Sequence, residues 1–418
     1  MFSNTNENLL EFYLNKEIKM SYGWKEYAVE LEPSKELLKP LVVPVKTLMA
    51  PGPSNCSERV LKSLQHQLLG HLHPETLKLM DEIKAGLQYA FQTKNTLTLA
   101  ISASGHAGME ASLGNILEPG ETVLIIKSGE WGSRAANMST RLGAHVEYLE
   151  TELGVPATLT DLEAALQRHR PAVIFLAHAE SSTGMKQPVE GIGPLAHRYG
   201  ALLIVDTVAS LGGEPFYADS WAVDVVYTGS QKVLGAPPGI TPISFSPAAE
   251  KKIFQRRTQV PVLYWDMTVL GRYWGCFDGP RMYHHTICAT LIYGLREALA
   301  QLAEETLPVS WMRHKAAALR LEEGLRRRGL ELYISNPQHR LVTIVPIRIP
   351  ENIELQLVIE EAMRKHKVEL AGGLGPTSGK IMRMGLMGVN ATPYHVDLLL
   401  NALDDGLRYA RLVKKSKI

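Results

Sequence analysis

The segment from Ala201 to Gly239 reads ALLIVDTVASLGGEPFYADSWAVDVVYTGSQKVLGAPPG, and the interpretation of the whole chain depends on it. Two of its runs, ALLIVDTVA and DVVYTGS, are rich in the branched apolar residues typical of buried strands. Asp206 closes the first run, and Lys232 lies just past the second. A carboxylate after one strand and an amine after the next can together hold a cationic heteroaromatic ring and bond covalently to its aldehyde.

From Thr96 onward, short apolar runs alternate with segments of helical periodicity. The predicted strands are TLTLAISA, TVLIIKSG, HVEYLE, AVIFLAHAE, ALLIVDTVA, DVVYTGS and ITPISFS. The segments between them include GMEASLGNIL and TDLEAALQRH, whose apolar residues recur at helical spacing. This alternation predicts an α/β fold in which helices cover both faces of a mostly parallel sheet. Ligands of such sheets bind beyond the carboxyl ends of the strands.

The residues that follow the predicted strands are of the types found in binding sites. In chain order they are Ser104-Gly105-His106, Trp131, Ser181, Asp206 and Lys232, after the first, second, fourth, fifth and sixth strands. Taken singly, each has an ordinary explanation, such as a helix-capping aspartate, a core tryptophan or a solvated lysine. Because a helix begins at the Ser-Gly-His turn, its free N–H groups suit a phosphate. A phosphate, a cationic ring and an aldehyde together predict pyridoxal phosphate (PLP) as the cofactor.

The composition disfavours several other classes of protein. The 418 residues carry a formal net charge of +1, which indicates no surface for nucleic acid or anionic membrane. No apolar run reaches the roughly 18 residues that a membrane helix needs. The three cysteines stand singly and the histidine pairs HLH and HH have no third ligand nearby, so no disulfide framework or metal is expected. The glycines of residues 372–379 lack the GxGxxG spacing after a strand, which disfavours a nicotinamide enzyme.

The chain is predicted to have four parts. Residues 1–37 form a mobile N-terminal extension, residues 38–55 an extended arm, residues 56–305 a large cofactor-binding domain and residues 306–418 a smaller α+β domain with a basic tail. The boundary between the two domains rests on Pro308, which follows a predicted connecting helix from about Thr286 to Glu304.

The two ends of the chain bear on its location in the cell. The first 33 residues contain Glu7, Glu11 and Glu17 but no arginine, a charge balance unlike that of a mitochondrial transit peptide. The C-terminal Ser416-Lys417-Ile418 differs from a Ser-Lys-Leu peroxisomal signal only in its last residue. We therefore expect a peroxisomal location, with mitochondrion or cytoplasm as alternatives if this tail is simply solvated.

Long stretches of the chain also resemble a known family, the class V, fold-type I aminotransferases that depend on PLP. The resemblance runs from about Leu38 to about Leu412. It rests on APGPSN, HPETLKLMDEIKAGLQYAFQT, SASGHAGMEA, HAESSTG, IVDTVASLGG, YTGSQKVLGAPPGITPISFS, YWGCFDGPRMYHHT and GGLGPTSGKIMRMGLMG. It implies a homodimer that moves amino groups between small amino acids and 2-oxo acids by a ping-pong mechanism. Alanine or serine would be the donor, glyoxylate or pyruvate the acceptor, and detoxification of glyoxylate the outcome.

The resemblance also implies roles around the cofactor ring. Lys232 would bond to the cofactor aldehyde, and Asp206 would pair with the ring nitrogen and keep it protonated. Val208 would lie beneath the ring and Trp131 above it, with Ser181 at the ring hydroxyl. Once the substrate displaces it, the lysine amine would be the general base of the reaction.

The resemblance also implies groups that bind two anions, the cofactor phosphate and the substrate carboxylate. The cofactor phosphate would be held by Ser104, Gly105, His106 and Gln231, together with Tyr283 of the partner subunit and Thr286 of the partner subunit. Arg383 would grip the substrate carboxylate through its planar guanidinium fork, and Ser181 would also contact the substrate. One arginine for one carboxylate suits monocarboxylic substrates.

One departure from the family pattern leaves the substrate open. Family members commonly read GPGP where this chain has Ala50-Pro51-Gly52-Pro53, and an added methyl near the substrate could alter the size that is accepted. The alternative is a transaminase of the same family that acts on 3-hydroxykynurenine. A cysteine desulfurase lacks support because Cys276 and Cys288 flank YHHT rather than occupying a mobile loop. A non-catalytic dimeric binding protein is disfavoured by the intact Lys232, Asp206 and Arg383.

Overall fold

The computed structural model describes residues 31–416. The chain divides into two compact units, Met1–Val45 and Lys46–Ile418. In the first unit, residues 35–38 form a turn and the backbone is irregular from residue 39 to Val45. The predictions for residues 1–30 of the extension and for the last two residues of the tail lie outside the described residues.

The second unit contains the strands and helices of the described chain. The strands are β1 Thr47–Leu48, β2 Thr98–Ile101, β3 Thr122–Lys127, β4 His145–Glu150, β5 Val173–Ala177, β6 Ala179–Glu180, β7 Met185–Lys186, β8 Leu202–Asp206, β9 Val225–Tyr227, β10 Thr241–Phe245, β11 Ile344–Arg348, β12 Val368–Glu369, β13 Ala371–Gly372 and β14 Ile381–Gly385. The α-helices are α1 Glu58–Ser63, α2 Pro74–Phe91, α3 Gly105–Ile116, α4 Glu130–Arg141, α5 Leu159–His169, α6 Ile192–Arg198, α7 Pro247–Phe254, α8 Met267–Tyr273, α9 Ala289–Glu305, α10 Leu307–Arg327, α11 Leu355–His366 and α12 Pro393–Ser416. Short 3₁₀ turns lie at Leu263–Trp265, Pro337–His339, Gly375–Thr377 and Gly388–Asn390.

The main sheet contains all the strands that the apolar runs predict. Its order is β2-β10-β9-β8-β5-β3-β4. β10 runs antiparallel to both of its neighbours, and the other pairs are parallel. The prediction of a mostly parallel sheet in an α/β fold is therefore confirmed. Residue Asp206 of β8 pairs in register with Tyr227 of β9 and with Ala177 of β5, so the carboxyl ends of these strands meet at one edge.

Local sequence explains why the covering helices form where they do. Ser57 caps α1 by accepting a hydrogen bond from the N–H of Val60, as expected for a serine at that position. α2 begins with Pro74 and buries an apolar stripe at helical spacing, including Met80, Ile83 and Leu87. This stripe joins the large hydrophobic core around the main sheet, and α2 also packs along α9.

A second hydrophobic core surrounds the small antiparallel sheet β11-β14-β13. Helices α10, α11 and α12 contribute to it, with Leu321, Val358 and Leu403 fully buried. α9 begins at Ala289 rather than near Thr286, because the backbone of Cys288 has a non-helical ψ of 79°. In residues 31–416 no helix has the length and hydropathy that a membrane span requires.

Candidate active site

Nine of the residues predicted to contact a cofactor line a single cavity at the carboxyl ends of the main-sheet strands. They are Ser104, Gly105, His106, Trp131, Ser181, Asp206, Val208, Gln231 and Lys232. The rest of the lining is apolar and consists of Met109, Ala179 and Ala209. The cavity has a volume of about 120 Å³, and about 590 Å³ when the open space at its mouth is included.

Asp206 is the buried carboxylate of the cavity. Its Oδ2 accepts a hydrogen bond of 2.6 Å from the hydroxyl of Tyr227, and its Oδ1 accepts one of 2.8 Å from the N–H of Val208. Burial raises the pKa of Asp206 to about 6, although these two hydrogen bonds and the charge of Lys232 favour the ionised form. A cation placed against this carboxylate would lower its pKa again.

Lys232 is the partly buried amine of the cavity. Burial and the charge of Arg383 lower its pKa to about 8, against the opposing charges of Asp206 and Glu369. Its Nζ donates a hydrogen bond to the main-chain carbonyl of Pro51 in the arm. An amine with this pKa is partly unprotonated near neutral pH, as a nucleophile or base requires.

The next residue of the arm allows this approach. Gly52 has φ +107°, and a Cβ at this position would collide with the side chain of Lys232. Only glycine combines that backbone conformation with the free space. The arm therefore provides a carbonyl that accepts a hydrogen bond from Lys232 and a glycine that leaves room for the lysine side chain. Neither contact was predicted from the sequence.

The N-terminus of α3 supplies the anion-binding end of the cavity. Ser104 is the N-cap residue, and its hydroxyl makes no capping hydrogen bond. The N–H groups of Gly105 and His106 have no acceptor among residues 31–416. Free N–H groups and the positive end of the helix dipole suit an anion such as phosphate.

Gln231 faces the same cavity with an unused amide. Its Oε1 is buried without a hydrogen-bond partner among the described residues. Rotation of the amide about its last bond would present the Nε2 donors in place of the oxygen. A buried polar atom without a partner costs free energy, so this amide is matched to a ligand rather than to the protein.

Trp131 forms the aromatic wall of the cavity. Its indole N–H donates a hydrogen bond of 2.6 Å to the hydroxyl of Ser181. The His106 ring lies edge-on at 5.6 Å between centroids, and the guanidinium of Arg134 lies 5.4 Å from the indole ring. These contacts fix the orientation of the indole in the cavity wall.

Arg383 approaches the site from β14, outside the cavity lining. Its Nε donates to the carbonyl of Gly372 at 2.7 Å, and its Nη1 donates to the carbonyl of Ser181 at 2.9 Å. Nη2 has no partner among residues 31–416. Burial lowers the pKa of this guanidinium, and the nearby charge of Glu180 opposes the change. A buried guanidinium with a free nitrogen is suited to an incoming carboxylate.

The structure does not bring Tyr283 and Thr286 to the cavity of their own chain. Both are exposed, and the Tyr283 ring packs against His71 with 4.5 Å between centroids. Between them, His284 and His285 contact each other through their Nδ1 atoms at 2.8 Å. Their predicted contribution to a neighbouring subunit remains a prediction.

Two further residues at this edge were missed by the sequence analysis. Tyr227 and Glu180 are both buried, and each hydrogen-bonds to a residue of the cavity. Tyr227 ends an apolar strand and looked like core, since the order of the strands was not known. Glu180 stands in the HAESSTG motif, and its position in that motif was the only available signal.

The chain is similar to proteins of one known family. The profile of the family described as "Aminotransferase class-V" matches residues 48–397. The alanine–glyoxylate aminotransferase of Drosophila melanogaster is 48% identical over 391 residues, which cover 93% of this chain and 99% of the relative. The alanine–glyoxylate aminotransferase of Callithrix jacchus is 47% identical over 391 residues, covering 93% and 94%.

Solved structures show the same fold. The alanine–glyoxylate aminotransferase of Nostoc sp. has a TM-score of 0.86 and 43% identity, over 93% of this chain and 100% of that one. The ureidoglycine–glyoxylate aminotransferase of Bacillus subtilis has a TM-score of 0.85 and 30% identity, over 90% and 100%. From this agreement of profile, sequence and fold, the chain belongs to the class V aminotransferase family.

Proposed function

We propose that this class V aminotransferase takes its amino group from alanine and passes it to glyoxylate, with PLP as its cofactor. The observation that carries the proposal is the placement of Lys232 and Asp206 in one cavity, with Arg383 held by the carbonyl of Ser181 and without an ion pair among residues 31–416. Two relatives above 45% identity and the Nostoc structure bear the name alanine–glyoxylate aminotransferase, which supports this pair of substrates.

The free groups of the cavity fit PLP. The phosphate matches the unpaired N–H groups at Gly105 and His106 and the amide of Gln231. The protonated ring nitrogen matches the buried carboxylate of Asp206, and the aldehyde matches the amine of Lys232. When bound, PLP supplies an aldehyde for covalent attachment and a cationic ring that withdraws electrons from the substrate.

Asp206 and its partners would hold a proton at the cofactor ring nitrogen. The hydroxyl of Tyr227 and the N–H of Val208 occupy both carboxylate oxygens and fix their orientation. A cationic partner would lower the pKa of this carboxyl from its raised value, so the pair would remain ionised.

Lys232 moves the proton of the reaction. Its Nζ, with a pKa of about 8, is the amine that takes the proton from the substrate Cα. The carbonyl of Pro51 holds this Nζ at the cavity through the hydrogen bond from the lysine.

Arg383 orients the substrate. Two of its nitrogens are already bonded to main-chain carbonyls, which within residues 31–416 leaves one free nitrogen and one positive charge for one carboxylate. This arrangement favours monocarboxylic amino acids such as alanine or serine over dicarboxylic ones.

A half-reaction panel tests the assignment of substrates. Purified protein loaded with PLP is mixed with alanine, serine, 3-hydroxykynurenine or ureidoglycine, and the visible absorbance of the cofactor is followed. We expect alanine to remove this absorbance fastest and glyoxylate to restore it better than pyruvate. Lys232→Ala is the negative control. A faster reaction with 3-hydroxykynurenine or ureidoglycine would overturn the donor assignment, and no response to any donor would overturn transamination itself.

We also propose a homodimer in which each site is completed by Tyr283 of the partner subunit and Thr286 of the partner subunit. In support, both residues are exposed and lie outside the cavity of their own chain. A mixture of Lys232→Ala and Thr286→Ala chains should regain about a quarter of the intact sites after subunit exchange. No recovery in a mixture shown to exchange subunits would contradict the shared site.

For the location, we propose the peroxisome, where the protein would detoxify glyoxylate. The support is the C-terminal Ser416-Lys417-Ile418. A fluorescent protein that carries the last residues of this chain should enter peroxisomes, and removal of the final three residues should abolish entry. Entry that does not depend on them would contradict the proposal.

A further inference from the structure

Glu180 is a buried carboxylate without an assigned role. It is 1% exposed and stands at the end of β6, next to the cavity but not in its lining. Burial raises the pKa of its carboxyl to about 7, although hydrogen bonds from Ser182 and Trp131 favour the ionised form. Burying a carboxyl costs free energy unless it is hydrogen-bonded. The hydrogen-bond partners of Glu180 therefore indicate its role.

The two oxygens of Glu180 join two loops of the site. Oε1 accepts hydrogen bonds from the N–H of Ser182 at 3.0 Å and from its hydroxyl at 2.5 Å. Oε2 accepts one from the N–H of Trp131 at 3.2 Å. The carboxylate thus connects the turn after β6 with the start of α4, two segments far apart in the sequence.

These same two segments contain Trp131, which forms the aromatic wall of the cavity, and Ser181, whose carbonyl binds Arg383. Trp131 is held by its main-chain N–H at Glu180 and by its indole N–H at the hydroxyl of Ser181. The carbonyl of Ser181 in turn accepts the hydrogen bond from Nη1 of Arg383. Consecutive residues of one turn therefore hold both the aromatic ring and the guanidinium.

The close approach of the two loops depends on a missing side chain. A Cβ on Gly129 would lie 2.5 Å from both the Glu180 carboxyl carbon and the Ser182 hydroxyl. Any larger residue would displace the side chains of Glu180 and Ser182. The contact between the two loops thus depends on a glycine in one loop, Gly129, and on a carboxylate in the other, Glu180.

We propose that Glu180 is a positioning residue that sets the Trp131 ring and the Arg383 guanidinium relative to each other. This inference rests on the proposed function, because it assumes a cofactor under the indole and a substrate carboxylate at the arginine. Glu180 touches neither, and it acts through Trp131 and Ser181.

The test uses Glu180→Gln, which keeps the shape but has one acceptor oxygen for the two loops. Its amide NH₂ must then face N–H donors of Ser182 or of Trp131, so one loop is released. The matched control is Glu214→Gln. Glu214 is 3% exposed and bonds to Lys186 and to the N–H of Val342, but it does not line the cavity.

In Glu180→Gln we expect KM for the amino donor to rise about tenfold, as the loss of one charge-assisted hydrogen bond predicts. kcat should change less than KM, since Lys232 and Asp206 are untouched. The circular dichroism of bound PLP should also change, because its signal depends on the ring above it. In a Trp131→Ala background, which has no ring above the cofactor, the same substitution should leave that signal unaltered. Glu214→Gln should lower Tm while KM and the dichroism stay those of the wild type.

The proposal is overturned if Glu180→Gln and Glu214→Gln lose similar stability and both keep wild-type KM and dichroism. If Glu180→Gln does not fold, Ser182→Ala removes one donor to the same carboxylate and should give the same changes on a smaller scale; wild-type values there would equally overturn it. The dichroism needs only bound PLP and no substrate. A wrong donor assignment appears instead in the wild-type half-reaction panel, so the two failures are distinguishable.

Discussion

The substitution Asp206→Asn should make the protein without PLP more stable near pH 8. Asp206 is buried, and burial raises the pKa of its carboxyl from 3.8 to about 6. Because the folded pKa lies above the unfolded one, its contribution to stability is fully present below pH 4 and is lost as the pH rises through 6. At pH 8 the folded protein therefore carries the cost of an ionised buried carboxylate.

The size of the effect follows from these values. Each pKa unit corresponds to about 1.4 kcal/mol, so the interval from 3.8 to about 6 amounts to about 3 kcal/mol at pH 8. Asparagine has a single acceptor for Tyr227 and Val208, and the lost hydrogen bond costs about 1 kcal/mol. The net gain in the free energy of unfolding is then about 2 kcal/mol at pH 8. It should be largely lost at pH 4, where the folded carboxyl is protonated and the unfolded one is only partly ionised.

Bound PLP should reverse the sign. The cationic ring nitrogen would stabilise the ionised Asp206, and the amide of the variant cannot provide that interaction. Urea unfolding at pH 4 and pH 8, with and without PLP, measures all four combinations. Asp224→Asn is the control, since Asp224 is buried in the same domain but bonds to His197 and to the N–H of Leu203. It should destabilise the protein with or without PLP.

A loss of stability in the PLP-free Asp206→Asn variant that is as large at pH 8 as at pH 4 would refute this reasoning. It would mean that the hydrogen bonds from Tyr227 and Val208 outweigh the cost of burying the charge. The same conclusion would follow if the wild type and the variant had parallel pH profiles.

Three other substitutions have distinct expected outcomes. Lys232→Ala should fold and bind PLP weakly, and borohydride should fix the cofactor to the wild type but not to the variant; fixation at the same peptide would show that another lysine reacts. Arg383→Lys should raise KM for alanine by roughly 10- to 100-fold in steady-state assays, because one ammonium cannot replace the hydrogen bonds to Gly372 and Ser181 and still reach the substrate carboxylate; an unchanged KM would place the carboxylate elsewhere. Gly52→Ala should shift the visible spectrum of bound PLP and lower kcat, because its Cβ would displace the Lys232 side chain and φ +107° is strained for alanine; a wild-type spectrum would show that the arm yields without cost.

The fold could largely be predicted because its signals are local. Buried parallel strands consist of unbroken apolar runs, and each such run in the sequence became a strand of the main sheet. The position of the site followed from the same pattern, since ligands of parallel sheets bind where the strands end. Ser104, Trp131, Ser181, Asp206 and Lys232 all lie at that edge.

The contacts that were missed depend on the three-dimensional arrangement of distant segments. Tyr227 reaches Asp206 because β9 lies beside β8 in register, and strand order cannot be read from apolar runs. Pro51 reaches Lys232 across 181 positions of sequence. Glu180 looked like one polar residue of a motif, and its function as a connection between loops depends on the approach of Gly129.

Three residues of this site each lower the stability of the folded protein, and one ligand would satisfy all of them. The carboxyl of Asp206 lies in an environment that disfavours its charge. Within the described part of the chain, the buried amide oxygen of Gln231 has no partner and the mostly buried guanidinium of Arg383 has one free nitrogen. Each destabilises the protein by itself, and packing alone gives no reason for any of them. A ligand with a cationic ring, a phosphate and a neighbouring carboxylate would relieve all three together. These three groups thus lower the stability of the protein without its ligand and favour binding of the ligand. Substitutions of Asp206, Gln231 or Arg383 that remove the buried polar group should therefore stabilise the empty protein and weaken its affinity for the ligand.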